Sequence, residues 1–424
     1  MLAAYIGLIV TALRCFINSM SACRWLYRER NSIIFFLLGL PVPFSGGQTG
    51  TVGQTSAIMT RTKVAHRFLL NKFYDTPTPL PMGQPGDLIR STEFDRYDLP
   101  GDVSAVRILY HSVSANQNDV PVSGVVLVPD KKPPAGGWPI IAWAHDLNGV
   151  GRSCAPSLER NLRNGSFLSM YVQLGYAVVA TDYAGLGSNT RSAFADMKSN
   201  AADVIYSVAA ARHAVPQLGT RWVALGTGEG AMAVVAVGEL ERERHDDGYL
   251  GSIAISDVQD LREKYEALSA VSMKSLLELV YGVQTVFPAF QPTAVLNSTE
   301  LSLFKRVASD CAESDAAFGD SSSSLVGQKW KSDPLVQAYF DRNRLGVSAA
   351  KAPLLVLSSL ANSHAGDASK IVSRLCAVGD KVQFDNYRGS DQGTLIGDSV
   401  RDQIQWIEGA FAGRPAHNDC SSRR

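Results

Sequence analysis

Residues 221–230 read Arg221-Trp222-Val223-Ala224-Leu225-Gly226-Thr227-Gly228-Glu229-Gly230. An apolar run enters a turn with glycine at its first, third and fifth positions. The turn then opens into Ala231-Met232-Ala233-Val234-Val235-Ala236-Val237, a helix-like segment. Strand, sharp turn and helix in this order is the setting in which a nucleophile is displayed above a sheet, the two outer small residues letting the turn tighten. In a serine hydrolase the middle position carries the hydroxyl. Here it is Gly228, which has no side chain.

Outward from this turn, short apolar runs alternate with helical periodicity. Val103–Val113 and Val122–Val128 read as an antiparallel pair, and Pro139–His145, Tyr176–Asp182, Leu250–Ile255, Pro353–Leu357 and Val382–Tyr387 as buried strands. Leu158–Leu174, Ala201–Val215, residues 365–377 and Val400–Phe411 read as helices. The alternation predicts a mainly parallel, doubly wound α/β sheet with right-handed crossovers. It is interrupted over residues 257–345, where helical runs occur without a convincing strand. Such an insertion is expected over the carboxyl edge of the sheet, as a gating lid or as a packing decoration. Upstream, the prolines at 77, 79 and 81 rule out a helix after Phe73-Tyr74 and predict an extended arm.

The 424 residues carry forty basic and forty acidic side chains, so no net field favours nucleic acid or an anionic surface. The first 47 residues differ from the rest: two apolar runs flank Arg24, Arg28 and Arg30 and end at Ser45-Gly46-Gly47. This is the order of a secretory signal peptide; each run is shorter than the roughly 20 residues of a bilayer span, and an N-terminal anchor made of both is the other reading. Either way the expectation is a secreted or extracytoplasmic protein. Cys15 and Cys23 fall in the leader, leaving Cys154, Cys311, Cys376 and Cys420, an even number without CxxC spacing. Two disulfides are expected, and neither a metal nor a cofactor. Asn164 and Asn297 open glycosylation sequons whose use depends on the host.

Placed in order, several motifs resemble the secretory lipase family of α/β-hydrolases found in actinobacteria and fungi. They are Phe73-Tyr74 with the proline run, Gly86-Asp-Leu-Ile-Arg-Ser91, His145-Asp146-Leu-Asn-Gly-Val-Gly-Arg-Ser-Cys154, Asp182-Tyr-Ala-Gly-Leu-Gly187, the glycine turn and Phe411-Ala-Gly-Arg-Pro-Ala-His-Asn-Asp-Cys420. The resemblance covers roughly residues 70–420. It implies an α/β-hydrolase core at 60–256 and 346–420, a helical lid at 257–345, export, and hydrolysis of acylglycerols or other carboxylic esters. It also implies that Cys154 pairs with Cys311 and Cys376 with Cys420.

Ester hydrolysis of this kind needs a hydroxyl, an imidazole and a carboxylate, in chain order nucleophile, acid, base. The matching positions hold Gly228, Asn362 and Gln392. Glycine offers nothing to acylate, asparagine no negative charge and glutamine no titratable nitrogen. All three positions therefore predict loss of triad chemistry. Thr227, His364 and Asp391 are the residues that a displaced constellation could use, although Thr227, preceding the apex, is expected to face the core. His145 and Asp146 stand where the fold supplies one oxyanion donor, and the backbone N–H of Glu229 where it supplies the other. Asp146 reads equally as a turn former beside Asn148-Gly149, and the Glu229 carboxylate is favoured at a helix start by the helix dipole.

Three functions follow from these residues. The leading one is a non-hydrolytic protein that holds an acyl, lipid or ester-like ligand, with transient contact at a lipid interface. The second is an active esterase or lipase, or another catalyst in the same pocket, using displaced groups. The third is an interaction protein whose pocket is closed.

Overall fold

The computed structural model describes residues 66–422 apart from 256, 257, 259, 268–271, 310, 312–317, 319–328, 360–364 and 392. The leader at 1–47 lies outside the described residues, as do Asn362, His364 and Gln392.

Nine strands make one sheet among the described residues: β1 (Leu88–Glu93), β2 (Val103–Val113), β3 (Asp119–Pro129), β4 (Trp138–Ala144), β5 (Ala177–Thr181), β6 (Leu218–Thr227), β7 (Tyr249–Ile255), β8 (Leu354–Ser359) and β9 (Val382–Tyr387). Their order is β1-β2-β3-β5-β4-β6-β7-β8-β9. Pairs up to β3–β5 are antiparallel and the remainder parallel. β6 sends Trp222 and Ala224 into one apolar layer and Val223 and Leu225 into the other, and all four are buried. A central parallel strand is covered on both faces, which is why its sequence is an unbroken apolar run instead of an alternation. The edge strand β1, with sequence LIRSTE and its last three residues exposed, lacks that signal and was not expected as a separate strand.

The helices are α1 (Gly165–Gln173), α2 (Met197–Ala214), α3 (Glu229–Arg244), α4 (Leu261–Ala267), α5 (Met273–Val286), α6 (Ser298–Phe304), α7 (Pro334–Arg342), α8 (Ala365–Ala377), α9 (Leu395–Asp398) and α10 (Val400–Phe411). One apolar layer contains Val204, Val208, Met232 and Val235 of α2 and α3. The other contains Leu168, Tyr171, Trp406 and Ile407 of α1 and α10. The helix expected from Leu158 starts only at Gly165, because Leu162 and Arg163 hold left-handed backbone at φ 50° and 60°. The helix expected from Ala201 starts earlier, at Met197, where Asp196 accepts a hydrogen bond from the Ser199 N–H and so caps the first turn.

The helices α4 to α7 fall between β7 and β8, where the strand–helix alternation pauses. α5 buries Leu276, Leu277, Leu279, Val280 and Val283 in the same apolar layer as α2 and α3. Each such side chain contributes on the order of 1.5–3 kcal/mol by its removal from water. α7 is fastened to the start of α2: Arg342 pairs with the buried Asp196 at 2.5 Å, Asn343 Oδ1 accepts from the Met197 N–H at 2.7 Å, and the Tyr339 hydroxyl donates to the Ala193 carbonyl at 2.8 Å. Disulfides join Cys154 to Cys311 and Cys376 to Cys420, with Cα separations of 5.3 and 5.2 Å. This is the pairing implied by the resemblance. Among the described residues no helix is long and apolar enough to cross a membrane.

The arm at residues 66–81 has no long regular element. It is held by Arg107 of β2, a side chain 1% exposed whose guanidinium lies 3.4 Å from the Phe94 ring centroid. Arg107 donates to the Tyr97 hydroxyl at 2.7 Å and to the Ser157 carbonyl at 3.0 Å, while the arm's Tyr74 hydroxyl bonds Ser157 as well. Ser157 in turn donates its N–H to the buried Asp182 at 2.8 Å. Buried ions need such partners, and here they fix the loop between β4 and α1.

Candidate functional site

The turn after β6 has the backbone of a nucleophile elbow. Gly228 sits at φ 55°, ψ −119°, between the end of β6 and the start of α3. A Cβ on Gly226 would lie 2.2 Å from the Gly230 carbonyl oxygen, and one on Gly230 would lie 2.0 Å from the Ala144 carbonyl oxygen. Those contacts are with backbone, so only glycine lets α3 begin this close to β4.

At Gly228 the obstruction is a side chain. A Cβ there would meet Asp146 Oδ1 at 1.9 Å and Oδ2 at 2.5 Å. Asp146 Oδ1 accepts two backbone hydrogen bonds, from the Leu147 N–H at 2.7 Å and the Glu229 N–H at 2.9 Å. Two convergent amides, one of them at a helix start, are what a developing oxyanion needs. In this chain a carboxylate oxygen of the same chain occupies them, and it stands over the apex in the volume where a nucleophile's side chain would begin.

His145 has a different role from the pocket residue expected. It is 2% exposed, stacked on Tyr183 with centroids 4.2 Å apart, and each ring nitrogen faces a backbone carbonyl oxygen: Nδ1 that of Asp146 at 2.6 Å, Nε2 that of Asp182 at 3.1 Å. The neutral ring can donate to one of these carbonyls and the cation to both. Burial pushes the imidazole below its usual pKa while the carbonyls and the Asp182 carboxylate pull the other way. His145 therefore anchors the Asp146 backbone from below and does not line the cavity.

That cavity, about 420 Å³, lies over the elbow. Its walls include Asp146, Thr227, Gly228, Glu159, Arg163 and Ile255, with Asn161, Asn164, Gly393 and Ile396. Thr227 is half-buried and lines it, contrary to the expectation that it faces the core, because it is the last residue of β6 and sits at the carboxyl edge where the sheet opens. Asp391 is exposed and bonded within its own turn, its Oδ1 accepting from the Thr394 N–H at 2.8 Å. Glu159 pairs with Arg67 at 2.6 Å and accepts from Asn148 Nδ2 at 3.1 Å. Arg163 donates through Nη1 to Asn148 Oδ1. Glu159 and Arg163 were not foreseen, since the stretch holding them reads as helix; the flanking Asn161 and Asn164, which tolerate turns, were the available signal. A larger groove, about 890 Å³, lies at the other end of the sheet, beside Val103, Pro129 and Gln217.

The Glu229 side chain points away from this cavity's wall. It is 6% exposed, and its Oε1 accepts from the Ala195 N–H and from Asn200 Nδ2, each at 2.7 Å. Burial raises its pKa to about 7, with the Asp146 charge adding to the rise and the Asn200 hydrogen bond opposing it. A carboxyl raised on folding favours the native state most below its unfolded pKa, and that contribution is lost as pH climbs from about 4.5 through about 7. Replacement Glu229→Gln keeps the acceptor and removes the titration. The variant is expected to be more stable than the native chain by roughly 3 kcal/mol at pH 8, the gain falling below about 1 kcal/mol at about pH 5. Urea midpoints at both pH values measure this, and an equal difference at both would overturn it.

Among the described residues no cluster of three or more His, Cys, Asp or Glu side chains is placed to hold a metal ion. Comparison with curated proteins returns no match. Among solved structures, the closed state of Candida antarctica lipase A superposes with a TM-score of 0.69 at 17% identity, over 82% of this chain and 87% of that one. The rice cell wall degrading esterase LipA from Xanthomonas oryzae, in a ligand-bound form, gives 0.63 at 15% identity, over 77% and 98%. At such identities the likeness speaks for the fold: a mostly parallel sheet flanked by helices, the α/β-hydrolase arrangement. The sequence itself matches the secretory lipase family over residues 163–419, more than half the chain, from just before α1 through the elbow to the residue before Cys420. With sheet order, elbow backbone and family match all agreeing, the chain belongs to the secretory lipase family of α/β-hydrolases.

Proposed function

We propose that this protein is a secretory lipase relative that has given up serine-triad hydrolysis and binds an acyl, lipid or ester-like molecule at its elbow. The observation that carries the reading is Asp146 Oδ1 on the amides of Leu147 and Glu229, above a residue without a side chain. A bound acyl carbonyl would have to displace a carboxylate from its donors, and there is no hydroxyl at 228 to attack it. Asn362 and Gln392 at the other two matching positions support the same conclusion from the sequence. We read residues 257–345 as the helical cap of the site. The two disulfides and the family support an extracellular setting, and the lipid or ester class of ligand rests on the family.

The test is turnover of short-chain and long-chain p-nitrophenyl esters together with labelling by a fluorophosphonate. Neither labelling nor inhibitor-sensitive turnover is expected; both together would sink the reading. The rival, hydrolysis through displaced groups, has one handle in the structure: Thr227 is among the residues that line the cavity. Labelling that disappears in Thr227→Val would establish that rival.

A further inference from the structure

The elbow cavity carries two opposite charges that do not neutralise each other. Asp146 gives its Oδ1 to two neutral amides, while its Oδ2 stands above the apex. Among the described residues neither Asp146 nor Arg163 has an ion-pair partner, so the two line one cavity without meeting. The remaining carboxylate of the wall, Glu159, is already neutralised by Arg67 at 2.6 Å.

Arg163 is held there against its local preference. It and Leu162 are consecutive non-glycine residues with positive φ, a conformation costing on the order of 1–3 kcal/mol each. The turn stops α1 from starting earlier and leaves Arg163 on the cavity wall, with one guanidinium nitrogen bonded to Asn148. Beside it α1 begins at Gly165, whose N–H is taken by the Asn161 carbonyl at 2.7 Å, and the N-cap Asn164 makes no side-chain capping hydrogen bond. A guanidinium at a cavity wall recognises an anion. A carboxylate held by fixed dipoles recognises a cation.

We infer that the elbow cavity binds a zwitterionic group, its ammonium end against Asp146 and its phosphodiester or carboxylate end against Arg163. At about 420 Å³ the space suits a compact polar group, near the lower end of the roughly 300–1,000 Å³ of small-molecule sites. The inference rests on the non-hydrolytic reading, because Asp146 can stand over residue 228 only while no seryl side chain is there. It narrows the ligand from lipid or ester-like to one bearing both charges, whether the head group of a lipid or a free zwitterion.

Calorimetric titration of the full chain with glycerophosphocholine, choline and glycerol 3-phosphate tests it. Glycerophosphocholine has no carboxylic ester, so its binding is independent of whether the protein cleaves esters, and failure here is separable from failure in the fluorophosphonate assay. The zwitterion is expected to bind at least about 10-fold more tightly than either half. Asp146→Asn, which keeps an acceptor for both amides, should abolish the preference over glycerol 3-phosphate. Arg163→Gln should abolish the preference over choline. Melting curves of both variants confirm folding. Tighter binding of monomeric dihexanoylphosphatidylcholine than of glycerophosphocholine assigns a lipid head group; equal binding assigns a soluble zwitterion. Glycerol 3-phosphate binding as tightly as the zwitterion, preferences unchanged in folded variants, or no binding of any probe would each overturn the inference.

Discussion

The variant combining Gly228→Ser, Asn362→Asp and Gln392→His is expected to hydrolyse p-nitrophenyl butyrate about 10³-fold or more faster than the native chain. A complete triad is worth roughly 10⁶ in kcat, and its members act as a unit, so the three single variants should each remain near background. The elbow is already shaped for the gain: residue 228 has the strained backbone, and the amides of Leu147 and Glu229 already converge. What stands in the way is Asp146, 1.9 Å from the new Cβ. Its carboxylate is the end of a side chain and can swing aside by rotation about χ1, freeing both amides for a substrate carbonyl. A seryl residue at φ 55° adds roughly 1–3 kcal/mol of backbone cost, so the triple variant should melt lower. Adding Asp146→Ala separates the remaining outcomes. Activity only in the quadruple variant identifies Asp146 as the block; a folded quadruple variant with no activity would show that positions 362 and 392 do not reach residue 228 as acid and base.

The second large effect is on stability. Replacing Cys154 and Cys311 together by alanine is expected to remove about 3–5 kcal/mol, because the bond closes a sequence separation of 157 and chain entropy alone puts its worth near 5 kcal/mol. Removing Cys376–Cys420, with a separation of 44, should cost less, the same estimate giving about 4 kcal/mol. The first bond does more than shorten the unfolded chain. Cys154 is fully buried, and its carbonyl accepts from Asn148 Nδ2, the amide that also reaches Glu159. Its loss therefore loosens the loop that carries Arg163 as well as the contact with Cys311 in the insertion. Urea unfolding under non-reducing conditions measures both variants; a loss below about 1 kcal/mol for the longer loop would mean that other contacts hold the insertion.

Much of this architecture was legible because central parallel strands announce themselves. Val223 and Leu225 on one face and Trp222 and Ala224 on the other leave no polar residue to break the run. The ranges 365–377, Val382–Tyr387 and Val400–Phe411 emerge in the structure as expected. β1 was not legible, since an edge strand with exposed residues has no buried period to show. The elbow could be read from its glycines, but the position of Asp146 could not. A side-chain rotation into a void depends on what is missing across space, and Gly228 and Asp146 are 82 positions apart in sequence. Arg163 was hidden for another reason: left-handed backbone at a leucine and an arginine is imposed by the surrounding fold and has no glycine to signal it.

The left-handed apex at Gly228 acquires a different meaning from its surroundings. A turn of this shape ordinarily earns its strain by lifting a side chain into the open. With none to lift, what the turn still exposes is main chain: the amide of Glu229, pointed outward and engaged by Asp146. The peptide group has become the recognition element, and no substitution at position 229 other than proline can delete it. Chemical variation at this corner is therefore confined to what faces that amide, and a single residue, Asp146, decides whether it greets a ligand or the protein's own carboxylate.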